Sequence, residues 1–331
     1  MTHPTSPDEP SFVTLAEIRQ AAAELPPQIV HTPLLVSEEL EETVGAPLWF
    51  KPENLQVTGS YKARAAFTVL NRLSAEQRDR GAAISSSGNF ASAWAYMGRL
   101  LGVSTAVVMQ EKTSPLKVEK TRRYGAEVIL CPNALDARWK TLFALEPERG
   151  IRAVNTFEEP DVLRGHGTIG LEIAEDLPDV DTVLVPVSSG GLIAGLATAV
   201  KELRPSARVI GIQPEGSSAV TRSFRGGEIT GISEVNTICD ALVAGRPGAL
   251  PFRHIQRYVD EMVLVTDDEV KNAIRWLVER SKLVVEAGGA VGVAALLTGK
   301  AQARGKTVVL LSGGNIMPRT LAQYILEGEE R

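Results

Sequence analysis

The chain has 331 residues, which is long enough for two domains or one large one, and it carries 35 lysines and arginines against 40 aspartates and glutamates. The net charge of -5 is spread without long blocks of one sign, which disfavours nucleic acid and membrane surfaces as partners. Because no apolar run reaches about 18 residues and Cys131 and Cys239 form no CxxC pair, we expect no membrane span, no disulfide framework and no thiolate metal site, but small-molecule chemistry in a reducing cytoplasm.

The N-terminal half begins with residues 1–10, whose proline and serine content and lack of an apolar signal core predict a disordered leader. An apolar strand-like stretch follows at 47–50 (PLWF). It gives way to a Thr-Gly-Ser turn and to a helical pattern that begins near Lys62. The helix dipole at this position disfavours a positive charge and favours a neutral, nucleophilic amine. Alone, however, a lysine after a turn is more often a solvated surface residue.

Beyond Lys62, short β-branched runs alternate with longer segments that have apolar residues at three-and-four spacing. The predicted strands cover 82–86, 104–109, 126–130, 151–155, 182–187, 208–212, 261–265 and 307–311, and predicted helices cover 90–102, 114–125, 191–203 and 267–281. Strands that are apolar along their whole length indicate parallel sheets covered on both faces. We therefore predict an α/β protein with two open parallel sheets, in which ligands bind at the strand-to-helix turns.

Three of these turns are rich in small residues that suit anion binding. Residues 85–90 (SSSGNF) present backbone N–H groups that would suit a carboxylate. Residues 185–195 (VPVSSGGLIAG) could hold a phosphate, and because they lack GxGxxG spacing, a Rossmann oxidoreductase is a weak alternative. Residues 307–316 (TVVLLSGGNI) deliver Ser312 to a Gly-Gly-Asn turn. Each turn alone could be an ordinary loop.

Together these segments resemble the fold-type II pyridoxal-phosphate enzymes, specifically the threonine dehydratase and serine racemase group. The matching strings are KPENLQVTGSYKARAA around Lys62, SSSGN ending at Asn89, PVSSGGLIAG at 186–195, NTICDALVAGRPG at 236–248, VVEAGGAVGVAALL at 284–297 and LLSGGN at 310–315. They occur in the order that the family has. The resemblance implies a tryptophan synthase β-like fold with two open parallel-sheet domains and pyridoxal 5'-phosphate between them.

The resemblance also implies how the chain is divided. Residues 1–75 and 155–331 would form a large domain, and residues 76–154 would form a small domain inserted between them. A homodimer is expected. Because the chain ends soon after the SGGN turn, we expect no C-terminal effector domain and no feedback inhibition by isoleucine.

Roles follow for residues at the matching positions. Lys62 would bind the cofactor as a Schiff base and then act as the base at the substrate Cα, while Asn89 would bind the cofactor's 3-oxygen. Ser312 would face the pyridine nitrogen, and since a neutral hydroxyl cannot hold that nitrogen protonated, prompt loss of a β-substituent is favoured. The cofactor phosphate would be held by Ser188, Ser189, Gly190, Gly191 and Leu192. The substrate carboxylate would lie on the N–H groups of Ser86, Ser87, Gly88, Asn89 and Phe90.

The reaction implied is elimination of water from a 3-hydroxy amino acid of the L-threonine or L-serine type, giving a 2-oxo acid and ammonia. Ser87 aligns with a serine that acts on the face of Cα opposite the lysine in serine racemases. Racemisation is therefore an alternative, and a merely structural hydrogen bond from Ser87 is another. A β-replacement synthase of the same fold and a catalytically inactive cofactor-binding protein are further alternatives.

Departures from the family pattern bear on the substrate. Phe90 stands where the histidine of SGNH is usual, and His166 replaces the glutamine of a GQGT segment. Either could line a different substrate pocket, although His166 could equally be a core or surface filler. A dehydratase of 3-hydroxyaspartate, of phenylserine or of the ectoine-catabolism type therefore stays open. Gln213 and Ala219 occupy the positions of the family's acidic metal ligands, so we expect no metal and no magnesium dependence there.

Overall fold

The computed structural model describes residues 12–134 and 136–327, and the leader predicted at 1–10 lies outside the described residues. The strands are β1 (Leu35–Val36), β2 (Leu48–Lys51), β3 (Ala82–Ser85), β4 (Thr105–Gln110), β5 (Glu127–Cys131), β6 (Arg152–Ala153), β7 (Thr182–Pro186), β8 (Arg208–Pro214), β9 (Glu261–Val265) and β10 (Thr307–Leu310). The helices are α1 (Leu15–Ala23), α2 (Glu38–Val44), α3 (Lys62–Asn71), α4 (Ala75–Arg80), α5 (Asn89–Leu101), α6 (Pro115–Arg123), α7 (Ala137–Arg149), α8 (Pro160–Asp176), α9 (Gly191–Leu203), α10 (Ala219–Gly226), α11 (Ala249–Tyr258), α12 (Asp267–Trp276), α13 (Ala287–Leu297) and α14 (Pro318–Leu326). None of the helices within these two ranges combines the length and the apolar character needed to cross a membrane.

Within the described residues, the strands form two sheets. The larger sheet has the strand order β1-β2-β10-β7-β8-β9, and the smaller sheet has the order β5-β4-β3-β6. All pairings are parallel except that of β1 with β2. The predicted α/β class with two parallel-sheet domains is therefore confirmed. The strands of the smaller sheet all lie between residues 82 and 153, while the exact domain boundaries stay a prediction.

Most predicted elements match the observed ones to within one or two residues, because their apolar patterns reflect burial on both faces. Strands β3, β7 and β10 are buried at every position. The predicted strand at 151–155 is shorter in the structure, since β6 lies at an edge of the smaller sheet and pairs with β3 at two positions. The predicted helix at 267–281 is α-helical to Trp276 and continues as a π-helical segment, Leu277–Ser281.

Helix α8 lies between α3 and α9, and glycines allow the close approach. A Cβ on Gly165 would lie 2.6 Å from the Cα of Ala65 in α3. Likewise, a Cβ on Gly195 of α9 would lie 2.1 Å from the carbonyl oxygen of Leu163 in α8. Side chains at these glycines would force the helices apart. The packing thus joins the helix that begins at Lys62 to the helix that follows the 188–192 loop.

A network of buried charges anchors α3 to the end of β2 and to α8. The Arg64 guanidinium is fully buried and binds Glu53 at 2.8 Å and Glu172 at 2.6 Å. The Nζ atom of Lys51 lies 2.6 Å from Glu172 and donates to the carbonyl of Thr32, also at 2.6 Å. Two cations face two carboxylates, so the charges balance, as burial requires. The network sets the position of α3, and therefore that of Lys62.

Candidate active site

Three loops that follow neighbouring strands of the larger sheet meet at one edge. The strands are β2, β10 and β7, and their loops lead to Lys62, to Ser312 and to residues 188–192. The carbonyl of Ser312 accepts a hydrogen bond from the Tyr61 N–H at 3.1 Å. Because the carboxyl ends of adjacent parallel strands share one edge, the predicted lysine, serine and phosphate loop lie close together.

Lys62 is the first residue of α3, and its amine is enclosed by aromatic rings. Its Nζ atom lies 4.6 Å from the ring centroid of Tyr61 and 4.9 Å from that of Phe90. Burial lowers the pKa of Lys62 to about 7, and the nearby carboxyl of Glu286 partly opposes this shift. At neutral pH much of the amine is therefore uncharged, which is the form that attacks a carbonyl carbon or accepts a proton.

The loop between β3 and α5 carries donors from the smaller sheet to Lys62. Two of its N–H groups are already used: Ser86 donates to the carbonyl of Val108 at 3.2 Å, and Gly88 donates to the Ser86 hydroxyl at 3.3 Å. The other N–H groups of the predicted carboxylate site have no protein acceptor within the described part of the chain. They belong to Ser87, Asn89 and Phe90. A substrate carboxylate would thus have three free donors at the N-terminus of α5.

Glu286 and Asn315, to which the sequence analysis assigned no role, connect Asn89 to the larger sheet. The Asn89 side-chain amide donates to Glu286 Oε1 at 2.5 Å, and Asn315 donates to Asn89 Oδ1 at 2.9 Å. Glu286 is buried, and burial together with the nearby Asp240 carboxylate raises its pKa to about 7. Both residues lie in the strings VVEAGG and LLSGGN. The sequence therefore held the signal, but it did not show that these side chains reach Asn89.

The loop at 188–192 has the donors of a phosphate site. It contains the start of α9, and none of its five backbone N–H groups has a protein acceptor in the ranges that the structure describes. Gly190 has a φ of +108°, which suits glycine alone, and a Cβ there would lie 2.8 Å from the Cδ1 atom of Ile255. Free N–H groups at a helix N-terminus bind phosphate well. These residues fit the phosphate of the cofactor.

Gln213 connects this loop to α10. Its Oε1 atom accepts hydrogen bonds from the N–H and the hydroxyl of Thr221, both at 2.8 Å, and its amide donates to the Ser188 carbonyl at 3.4 Å. A glutamine in this arrangement acts as a structural link. Residues 12–134 and 136–327 contain no cluster of three or more His, Cys, Asp and Glu side chains that could hold a metal ion. That magnesium will not raise the rate stays a prediction.

His166, predicted as a substrate contact or a filler, is fully buried on α8. Its ring centroid lies 4.7 Å from that of Tyr61, and a Cβ on Gly191 would lie 3.9 Å from its Nδ1 atom. Burial and then the charge of Lys62 lower the pKa of His166 well below its usual range, so the imidazole is neutral. The structure thus places His166 between Tyr61 and the start of α9, beside the phosphate loop.

Comparisons with known proteins agree with this arrangement. A family model described as pyridoxal-phosphate dependent enzyme matches residues 25–314. The chain belongs to this family. Within it, L-threonine ammonia-lyase from Thermotoga maritima is 40% identical over 96% of this chain and 79% of its own length.

Solved structures of two members of the family are also similar to this chain. Maize serine racemase has 32% identity and a TM-score of 0.90, covering 97% of this chain and 99% of that one. The threonine deaminase of T.th. has 36% identity and a TM-score of 0.87, with 92% and 99% covered. The resemblance to the threonine dehydratase and serine racemase group is confirmed, as is the dependence on pyridoxal phosphate.

Proposed function

We propose that this pyridoxal-phosphate-dependent enzyme is an ammonia-lyase that removes water from a 3-hydroxy amino acid of the L-threonine or L-serine type. The products are a 2-oxo acid and ammonia. The observation that carries the proposal is the Lys62 amine, which lies between the rings of Tyr61 and Phe90 with a pKa of about 7. The Thermotoga maritima relative, named L-threonine ammonia-lyase, supports the reaction class.

Each residue of the site has a distinct task in this reaction. When bound, the cofactor supplies an electron sink next to the substrate Cα. Lys62 holds the cofactor covalently and then takes the Cα proton on Nζ. Asn89 donates to the cofactor's 3-oxygen, Ser312 offers a neutral hydroxyl to the ring nitrogen, and the 188–192 loop binds the phosphate. The rings of Tyr61 and Phe90 exclude water from the Lys62 amine.

We also propose a large domain at 1–75 and 155–331, a small domain at 76–154, a homodimeric assembly and a cytoplasmic location. The domain division is supported by the smaller sheet, whose described strands all fall between residues 82 and 153. The family resemblance supports the homodimer. Both cysteines are free and buried, which is compatible with a reducing compartment.

A substrate panel tests the reaction. The holoenzyme is incubated with L-threonine, L-serine, 3-hydroxyaspartate and phenylserine, with and without a thiol acceptor, and 2-oxo acid, ammonia and thioether are measured. We expect equal amounts of 2-oxo acid and ammonia from at least one substrate, and no thioether. A thioether product would identify a β-replacement synthase. Bound cofactor without any product would identify an inactive cofactor-binding protein.

The role of Lys62 is tested in the same assay. Lys62→Ala should lose the visible cofactor absorbance that borohydride abolishes, and its rate should fall by at least about a thousandfold, since it loses the proton acceptor. Lys112→Ala is the matched control, because Lys112 is exposed. It should keep both the absorbance and the rate. A Lys62→Ala enzyme with native turnover would overturn the proposal.

A further inference from the structure

His166 is a buried polar group that the proposed reaction does not use. It is fully buried, and neither of its ring nitrogens has a hydrogen-bond partner among the described residues. The backbone of Gly191 lies close enough to oppose part of the lowering of its pKa, but it forms no hydrogen bond of ordinary geometry with the ring. Buried polar groups in folded proteins are nearly always hydrogen-bonded, because a buried donor without an acceptor is costly. The two nitrogens therefore point to a partner that is not part of the protein.

The other fully buried histidine among the described residues, His254, shows how this fold treats a structural imidazole. Its Nε2 atom accepts from the Val13 N–H at 3.1 Å, and its Nδ1 atom lies 2.9 Å from the Thr198 hydroxyl. Both nitrogens of His254 are satisfied by protein groups. His166 differs in having no such partner, which argues against a purely structural role.

The position of His166 identifies the partner. Its ring lies 4.7 Å from the ring of Tyr61, the residue before Lys62, and its Nδ1 atom would be 3.9 Å from a Cβ on Gly191, the first residue of α9. The close packing of α8 at Gly165 and Gly195 holds the imidazole between α3 and α9. The helix N-terminus beside it carries free N–H groups that favour an anion.

We propose that His166 is a positioning residue that donates an imidazole N–H to the cofactor phosphate at the start of α9. A neutral imidazole has one N–H donor, so it adds to the N–H groups of the 188–192 loop. The glutamine of the resembling GQGT segment also carries an N–H donor, so the histidine preserves the donor at this position. The inference depends on the phosphate role proposed for the 188–192 loop.

The test compares His166→Phe with His166→Gln. Phenylalanine keeps a ring against Tyr61 but has no N–H, whereas glutamine keeps a donor. The holoenzymes are compared by the rate at which they release pyridoxal 5'-phosphate and by the ³¹P resonance of the bound cofactor. We expect His166→Phe to shift the resonance and to release the cofactor about tenfold faster or more, as loss of a charge-assisted hydrogen bond implies. His166→Gln should stay within about threefold of the native rate.

His31→Gln is the control, because His31 is exposed, and it should change neither readout. Native behaviour of His166→Phe would overturn the proposal, and so would equal losses in both His166 variants, which would indicate packing alone. If His166→Phe does not fold, His166→Met takes its place with the same expectations. Neither readout requires turnover, so a failure of the proposed dehydratase activity would be seen separately in the substrate panel.

Discussion

Two buried ionisable side chains give the site its reactivity and also cost it stability. The pKa of Lys62 is lowered from 10.5 to about 7, and that of Glu286 is raised from 4.5 to about 7, both chiefly by burial. Because the folded pKa of Lys62 lies below its unfolded value, the cost is fully present below about pH 7 and declines as the pH rises toward 10.5. For Glu286 the cost appears as the pH rises from 4.5 and is complete above about pH 7.

Removing the Lys62 amine should therefore stabilise the cofactor-free protein. We expect Lys62→Met to raise the thermal unfolding midpoint, and to raise it more at pH 6 than at pH 9, because the buried charge is present at the lower pH. Unfolding followed by circular dichroism at both pH values measures this. Lys112→Met, at an exposed position, should change neither midpoint. A larger gain at pH 9 would contradict the burial argument.

Phe90 should help to set the pKa of Lys62. Its ring centroid lies 4.9 Å from Nζ and it is buried, so Phe90→Ala would admit water to the amine. The rate at which the cofactor-free protein captures pyridoxal 5'-phosphate should rise with pH through a midpoint near pH 7, as the neutral amine forms. In Phe90→Ala this midpoint should move to higher pH. Phe143→Ala, at an exposed position, is the control; an unmoved midpoint in Phe90→Ala would show that Phe90 has no such effect.

Ser87 decides between dehydration alone and dehydration with racemisation. Its hydroxyl lies 3.0 Å from that of Thr113, so a structural role is already available to it. If Ser87 also donates a proton to Cα, the native enzyme will form D-serine from L-serine, and Ser87→Ala will lose D-serine formation but keep 2-oxo acid formation. Chiral analysis alongside a 2-oxo acid assay measures both. No D-serine from the native enzyme would limit Ser87 to its bond with Thr113.

At the scale of elements, the charge network around Arg64 is what fixes α3. Burial alone would raise the pKa of Glu53, but Arg64 beside it lowers that pKa below the usual value. The carboxylate therefore contributes stability above about pH 4.5, and this contribution is lost as the pH falls through the folded pKa. The stability of the helix that carries Lys62 is thus coupled to charges on β2 and α8.

Arg64→Met should accordingly destabilise the protein by about 3–5 kcal/mol, since it leaves Glu53 and Glu172 buried without their partner. Urea unfolding at pH 7 measures the change. Arg80 supplies the control: it forms an exposed ion pair with Glu76, one turn away on α4, so Arg80→Met should cost less than about 1 kcal/mol. Similar losses in both variants would mean that the buried network contributes no more than a surface pair.

The elements that lead into the site were predictable because their signal is local. Strand β7 and helix α9 were expected at 182–187 and 191–203, and they occupy Thr182–Pro186 and Gly191–Leu203. Helix α8 has no comparable signal, since glycines weaken its helical pattern and matter only for packing against α3 and α9. For the same reason, the contacts of Glu286 and His166 could not be predicted, because they depend on which elements meet in three dimensions.

For the whole molecule, the contacts between the two sheets gather at the mouth of the site. Lys120 of α6 donates to Asn315 at 2.8 Å, and Asn315 donates to Asn89 at 2.9 Å. Nearby, Lys117 forms an ion pair with Asp240 at 2.6 Å. Helices α5 and α6 flank the smaller sheet, whereas Asn315 and Asp240 follow strands of the larger one. These bonds are well placed to hold the 86–90 loop closed over a substrate.

Asn315 should be the residue that maintains this closure, because its amide also donates to the carbonyls of Thr58 and Gly59. We expect Asn315→Ala to raise the KM for the amino acid about tenfold, with a smaller change in kcat, since loop closure binds the substrate and Lys62 is untouched. Lys117→Met, which breaks an ion pair exposed at both ends, should change KM less than about twofold. Steady-state kinetics on both holoenzymes distinguish the two. A fall in kcat at constant KM would instead mean that Asn315 acts through Asn89 on the reacting atoms.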